Sequence, residues 1–241
     1  PSMRAVRPER PALRLARRLS GAAVALALVD SAGGLWLPGL YRDTAWVVPQ
    51  NRGTDLVTLA LAVPALALAV RRAGRGSARA TLIWFGLLGY VCYIYAGAAF
   101  AYAFNEFFLI YVALLSLSIG ALIAFGCGVD VSAVHEAFDA GTPRRAVAAF
   151  MLLVAVMLCV LWLGQIVPVF TSGGVPEGIV LSGGPTMIVY VLDVGIIVPV
   201  AALAAVWLWR RAPWGSSCRE PPEVERHARH VGPEHLLAQI L

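Results

Sequence analysis

The sequence predicts an all-α, polytopic helical membrane bundle of about six transmembrane helices, on three observations. Of 241 residues 59% are hydrophobic and only 14% charged, where a soluble domain carries about 25% charged residues. Mean hydropathy is +0.76, and the apolar residues gather into runs near the ~20 residues that a bilayer span requires. The arginines sit at the ends of those runs, where membrane topology signals belong. These runs are too long and continuous for barrel strands, and only helices and closed barrels satisfy the backbone in lipid.

The elements follow in order. Residues 1–19 form a basic segment carrying Arg4, Arg7, Arg10, Arg14, Arg17 and Arg18. A basic stretch running straight into an apolar one is the order of a signal peptide, but further spans follow and it reads as a retained first helix. Opening on Pro1 rather than Met leaves room for residues upstream. The transmembrane domain covers residues 20–211. Span one runs from Ser20 to Leu40 and is expected to bend or break at Gly33-Gly34. Span two runs from Thr54 to Val70 with Pro64 inside it, span three from Ala80 to Phe104, and span four from Phe107 to Phe125. Span five runs from Ala146 to Val167 and span six from Met187 to Trp209. Residues 212–241 form a polar C-terminal tail.

Orientation follows from charge. Arg71, Arg72, Arg75 and Arg79 lie between spans two and three, Arg144 and Arg145 precede span five, and Arg210 and Arg211 end span six. On the other side only Arg42 and Arg52 occur, both in the first loop. The positive-inside rule puts both termini in the cytoplasm of a bacterial cell membrane, which agrees with an even number of spans. The net charge of +5 is thereby spent on topology, and nucleic acid is not an expected partner. The lipid bilayer is.

Asn105-Glu106 connects spans three and four so tightly that they must be antiparallel neighbours. Ser116, Gly120 and Ala124 on span four, and Gly86, Gly89, Gly97 and Ala101 on span three, read as packing faces, since small residues let helices approach closely in lipid. The loop from Pro168 to Thr186 is rich in Gly, Ser and Pro and reads as exposed.

In such a chain the informative residues are polar groups at lipid depth, because each is costly to bury without a partner. Asp30 lies near the middle of span one. Asp55 opens span two, Asn105 and Glu106 form the hairpin, Gln165 nears the end of span five, and Asp193 lies about two turns into span six. Tyr190 precedes Asp193 by one helical turn, and a phenol can donate to a carboxylate. Tyr90 and Tyr93 share a face of span three. These positions predict an outward-facing polar cavity formed by Asp30, Asp55, Asn105, Glu106, Tyr190 and Asp193. The competing readings are ordinary ones: Asp55 as a helix cap, Asn105 and Glu106 as a solvated turn, and Trp36, Tyr41, Trp46, Trp84 and Trp207 as belt aromatics.

No catalytic constellation appears: no H-E-x-x-H, no P-loop, no G-x-S-x-G. The four cysteines, Cys92, Cys127, Cys159 and Cys218, form no C-x-x-C pair and imply neither a disulfide framework nor a zinc site. His227, His230 and His235 lack further ligand spacing, and His135 with Glu136 and Asp139 reads as a solvated helix face. No enzyme activity, metal or cofactor is expected.

Three stretches carry a resemblance. Gly53-Thr54-Asp55 opens span two. Tyr93-Ile94-Tyr95 leads through Phe104-Asn105 and Phe108-Leu109-Ile110-Tyr111-Val112-Ala113 to Ser116-Leu117-Ser118. Pro185-Thr186 leads through Val191-Leu192-Asp193 to Trp209-Arg210-Arg211-Ala212-Pro213-Trp214-Gly215. Over roughly residues 40–215 the chain resembles a family of uncharacterised bacterial multi-pass membrane proteins frequent in high-GC bacteria. The resemblance implies a membrane setting and no activity. After Gly215, where relatives continue into further apolar spans, this chain turns polar at Ser216-Ser217-Cys218, the pattern of a truncated or frame-shifted end. Two functions remain open from sequence. One is a transporter or permease-like protein moving a small solute or proton. The alternative is a non-catalytic structural or sensory subunit binding another membrane protein.

Overall fold

The structure, a computed structural model, describes residues 11–129 and 143–210. Residues 1–10, the His135 group and the tail with Cys218, His227, His230 and His235 lie outside the described residues. Every regular element among the described residues is helical, and six helices are long and apolar enough to cross a membrane. They are α1 (Pro11–Trp36), α2 (Val48–Ala73), α3 (Ala78–Ala101), α4 (Phe108–Gly128), α5 (Arg144–Ser172) and α7 (Ile188–Arg210), with a short α6 (Glu177–Ser182) between the last two.

α1 starts earlier than the apolar run suggests and takes in Arg14, Arg17 and Arg18. Arginine is a good helix former, and its long side chain carries the charge clear of an apolar surface. Nor does α1 break at Gly33-Gly34. Both glycines stay helical and leave room for neighbours: a Cβ on Gly33 would strike the Phe107 ring, and one on Gly34 would strike the Asp55 carboxylate and the Tyr41 hydroxyl.

The small-residue seam of the fold is on α1. Ala16, Ser20, Ala23, Ala27, Ser31 and Gly34 form its buried stripe, spaced at three and four residues so that they share one face. Into this stripe pack large side chains, above all Trp84 and Leu88 of α3 and Leu114 and Phe125 of α4. Trp84 meets Phe125 edge-on at 5.0 Å and donates its indole N–H to Ser20 Oγ at 2.8 Å. At the far end Gly128 lies against the Leu13 backbone. The packing face expected on span three is therefore corrected, and that on span four holds at Gly120 and Ala124, the latter buried in the core. A Cβ at Gly86, Gly89 or Gly97 would meet nothing within 4 Å, and Ser116 is exposed, while one at Gly120 would touch Leu19. Small residues face large ones here, rather than small facing small.

α2 and α7 share a local device. Each contains one π turn, Thr58–Ala62 in α2 and Asp193–Ile197 in α7, followed at once by Val-Pro: Val63-Pro64 and Val198-Pro199. A proline inside a helix clashes with the carbonyl four residues back and donates no hydrogen bond. The valine before each proline bonds instead to the carbonyl five residues back, Val63 to Thr58 and Val198 to Asp193. The widened turn absorbs the ring without ending the helix.

Helices α1–α4 form one packed body. α5 and α7 pair with each other, and α7 touches α3. Arg17 lies against Gly74, and Thr44 Oγ1 donates to the Leu181 carbonyl at 2.8 Å. The start of α1 and the α2–α3 turn thus share one end of the molecule, and the α1–α2 and α5–α7 connections share the other.

Candidate functional site

The polar residues fall into separate groups, and the single open cavity read from the sequence is corrected accordingly. The first group lies among α1, α2, α3 and α4 beneath the α1–α2 loop. Asp30 is 3% exposed, Asp55 5% and Asn105 2%. Tyr95 donates to Asp30 Oδ2 at 2.7 Å, and Tyr41, from the loop, donates to Asp55 Oδ2. Asn105 Nδ2 donates to the Tyr111 hydroxyl at 3.1 Å, while Asn105 Oδ1 accepts the Phe107 N–H at 2.9 Å. Asn105 thus builds the turn and reaches into the cluster at once, a double role open to a side-chain amide.

Aromatic rings seal this group. Tyr95 stacks on Tyr111, Tyr102 meets Tyr111 edge-on at 5.7 Å, and Tyr41 meets Tyr102 edge-on at 5.8 Å. Asp43 fastens the loop by accepting the Ala103 N–H at 2.9 Å. Burial, followed by the hydrogen bond to Asp55, pushes the Tyr41 phenol far above its usual range. Burial, followed by the Asp55 charge, does the same for Tyr102. Both hydroxyls therefore stay protonated, and Tyr41 remains a donor to Asp55.

Glu106, placed in the same cavity by the sequence reading, sits outside on the rim. It pairs with Arg42, and both side chains are more than half exposed. A surface pair of this kind contributes little. It borders an open depression of about 420 Å³ lined by Arg42, Phe104, Asn105, Glu106, Phe108 and Leu109, which is mostly apolar.

The second group lies among α3, α5 and α7. Asp193 is 6% exposed. Tyr93 donates to its Oδ1 at 2.7 Å and Trp162 Nε1 to its Oδ2 at 2.7 Å. Tyr190, expected to serve Asp193 from one turn away, donates to Gln165 Oε1 at 3.0 Å instead, its ring packed on Trp162 at 5.1 Å. Asp193 opens its π turn, and Thr58 opens the other and bonds the Tyr90 hydroxyl at 2.7 Å. Two tyrosines one turn apart on α3 thus reach opposite neighbours, α2 and α7. Sequence reasoning gave Tyr95, Tyr102 and Trp162 no role in the site and weighed Tyr41 and Trp84 as belt aromatics, whereas Tyr41 bonds Asp55 and Trp84 is fully buried; the signal for the donors was the count of carboxyls within the spans, each of which needed one.

Among the described residues none of Asp30, Asp55 and Asp193 is in an ion pair, and no group of three His, Cys, Asp or Glu could hold a metal ion. Each carboxyl is met by neutral donors instead. Compared with known proteins, the chain matches no protein family, no curated protein and no solved structure.

Proposed function

We propose that the chain is a permease-like carrier in which Asp193 is the carboxylate joint between the α1–α4 body and the α5–α7 pair. The supporting observation is the bonding of Asp193: its two oxygens accept from different helices, through Tyr93 of α3 and Trp162 of α5, and among the described residues it is in no ion pair. Bonds to an ionised carboxylate are roughly twice as strong as neutral ones. Loss of the Asp193 charge, as in Asp193→Asn, weakens the joint. In many carriers one helical group rocks against another around a polar site, and a π turn beside a proline gives α7 a place to bend. The closed cover over Asp30 and Asp55 is then an occluded conformation, not the outward-facing cavity.

The setting belongs to the same reading. Arg14, Arg17, Arg18, Arg71, Arg72, Arg75, Arg79, Arg144, Arg145 and Arg210 collect at one end, which the positive-inside rule assigns to the cytoplasm of a bacterial cell membrane. The resemblance to high-GC bacterial multi-pass proteins supports that location and supplies no substrate.

The test uses the full chain in proteoliposomes under a pH gradient. Charge movement is recorded as sugars, amino acids, organic cations and carboxylates are added in turn. A current with one class, absent in Asp193→Asn, is the expected result. Silence toward every class from correctly folded protein overturns the carrier reading. A second reading, a subunit that binds another membrane protein, is favoured by α5. Only 11% of its apolar window is covered, against 39% for α1, and Phe150, Leu153, Val160 and Phe170 are bare. Silence of the carrier combined with a specific crosslink from α5 to one membrane protein supports it.

A further inference from the structure

The closed group beneath Tyr41 holds two carboxylates, surrounded by hydroxyls and an amide and by no cationic side chain in contact. Asp30 Oδ2 is engaged by Tyr95, but Asp30 Oδ1 is buried without a hydrogen-bond partner, and the neighbouring Ser31 Oγ lies beside the Tyr95 hydroxyl without a well-formed hydrogen bond. Asp30 is 3% exposed and Ser31 0%. A carboxylate oxygen orphaned at this depth is rare, since buried polar groups are nearly always paired. Asp55 lies close to the same face of α1: its Oδ2 sits against Gly34, one turn beyond Asp30, where a side chain would displace it. Gly34 is thus the residue that lets the second carboxylate approach the first.

Bringing two carboxylates into a dry, aromatic-walled space is unfavourable unless their charge is neutralised, by a proton on one and a cation beside the other. Arg52 acts on Asp55 from the exposed side of α2 and forms no bond to it. All the available atoms are hard oxygens, which suit a hard cation. A divalent ion of the calcium type takes 6–8 oxygen ligands, and here one oxygen of each carboxylate is already committed to a tyrosine. The smaller charge fits better.

We propose that Asp30, Ser31 and Asp55 hold a monovalent cation of the sodium class beneath the Tyr41 cover. Asp30 Oδ1 and Ser31 Oγ are its ligands from α1, and Asp55 faces it from α2 as the protonated acid, so that one cation balances one carboxylate. The site is independent of the carrier reading, because it lies in the α1–α4 body and does not involve Asp193.

The test is thermal unfolding of the purified full-length protein in detergent, comparing sodium chloride with choline chloride at equal ionic strength, supported by binding of radioactive sodium. Wild type should gain stability saturably with sodium and not with choline. Asp30→Asn should abolish the response. Ser31→Ala, which keeps the charge and removes one ligand, should raise the half-saturating sodium concentration by about tenfold or more, the scale on which loss even of a supporting group weakens metal binding. If Asp30→Asn does not fold, Ser31→Ala decides alone. Identical melting of wild type in sodium and choline overturns the site, and so does a sodium response that both variants retain. Solute currents are measured separately, so failure of sodium binding leaves the carrier reading standing, and the reverse holds too.

Discussion

Tyr93 on α3 donates its hydroxyl to Asp193 on α7 at 2.7 Å, and this bond ties the α1–α4 body to the α5–α7 pair, as the Thr44–Leu181 hydrogen bond does at the loop end. Tyr93→Phe removes the donor and leaves the ring. The expected cost is about 0.6–1.7 kcal/mol, the range of measured hydrogen bonds between membrane helices. A double-mutant cycle with Asp193→Asn checks it in detergent unfolding: the two changes should be clearly non-additive. Additive effects would mean that the bond carries no coupling.

Gly34→Ala is expected to be strongly destabilising, because its Cβ would occupy the position of the Asp55 carboxylate and crowd the Tyr41 hydroxyl at 2.5 Å. Gly21→Ala, on the same helix with open space around it, should be neutral or stabilising by up to about 1 kcal/mol, since alanine is the better helix former. Melting temperatures of the two variants measured side by side test the contrast. Equal behaviour would contradict the close approach of α1 and α2.

The helical class and the positions of the spans were legible because they rest on length and hydropathy, which the bilayer imposes locally. The placement of Asp30, Asp55 and Asp193 within apolar helices was legible for the same reason. Their partners were not. Whether Tyr190 or Tyr93 reaches Asp193 depends on how α3 and α7 are rotated against each other, and that rotation is set by packing across the bundle. The seam of small residues was misplaced onto span three, since glycines signal packing most loudly in a sequence. The fold instead uses alanines and serines of α1 as the receiving surface for Trp84, Leu88 and Phe125. Gly33-Gly34 was visible as a pair, but its purpose depends on Phe107 and Asp55, which come from other parts of the chain.

Ser20→Ala should be costlier than its size suggests. Ser20 Oγ accepts the Trp84 N–H at 2.8 Å and donates to the Ala16 carbonyl at 2.8 Å, both within the core. Alanine leaves the indole N–H buried and unpaired, at a cost of about 1–3 kcal/mol. Pairing it with Trp84→Phe removes the stranded donor, so the double variant should be less destabilised than the sum of the singles. Unfolding curves for all three variants provide the check.

Alkaline titration reports on the Tyr41 cover. The Tyr41 and Tyr102 phenols are raised above their ordinary value in the folded protein, whereas in the unfolded chain they ionise near ~10. Because the folded values are the higher ones, their contribution to stability is fully present below ~10 and is lost as pH rises beyond it. Phenolate absorbance should therefore lag in folded protein and be released on unfolding, and stability should fall as the solution is made more alkaline. Removing Asp55 as Asp55→Asn should bring the Tyr41 transition down. An unchanged Tyr41 transition in that variant would show that burial alone sets it.

Thiol accessibility distinguishes a closed site from an open cavity and reads orientation at the same time. In a protein freed of its native cysteines, single cysteines at positions 55, 106 and 193 are treated in intact cells with a membrane-impermeant reagent. Asp55 and Asp193 are buried and Glu106 is more than half exposed, so only position 106 should react. Labelling at 55 or 193 would reveal a water-filled path that the closed arrangement lacks. Cys127, exposed at the end of α4 beside the arginine-rich face, serves as the opposite marker when restored alone. It should stay silent in intact cells and react after permeabilisation. The reverse pattern, with Cys127 labelled from outside and position 106 protected, would invert the topology and place the Arg42–Glu106 rim in the cytoplasm.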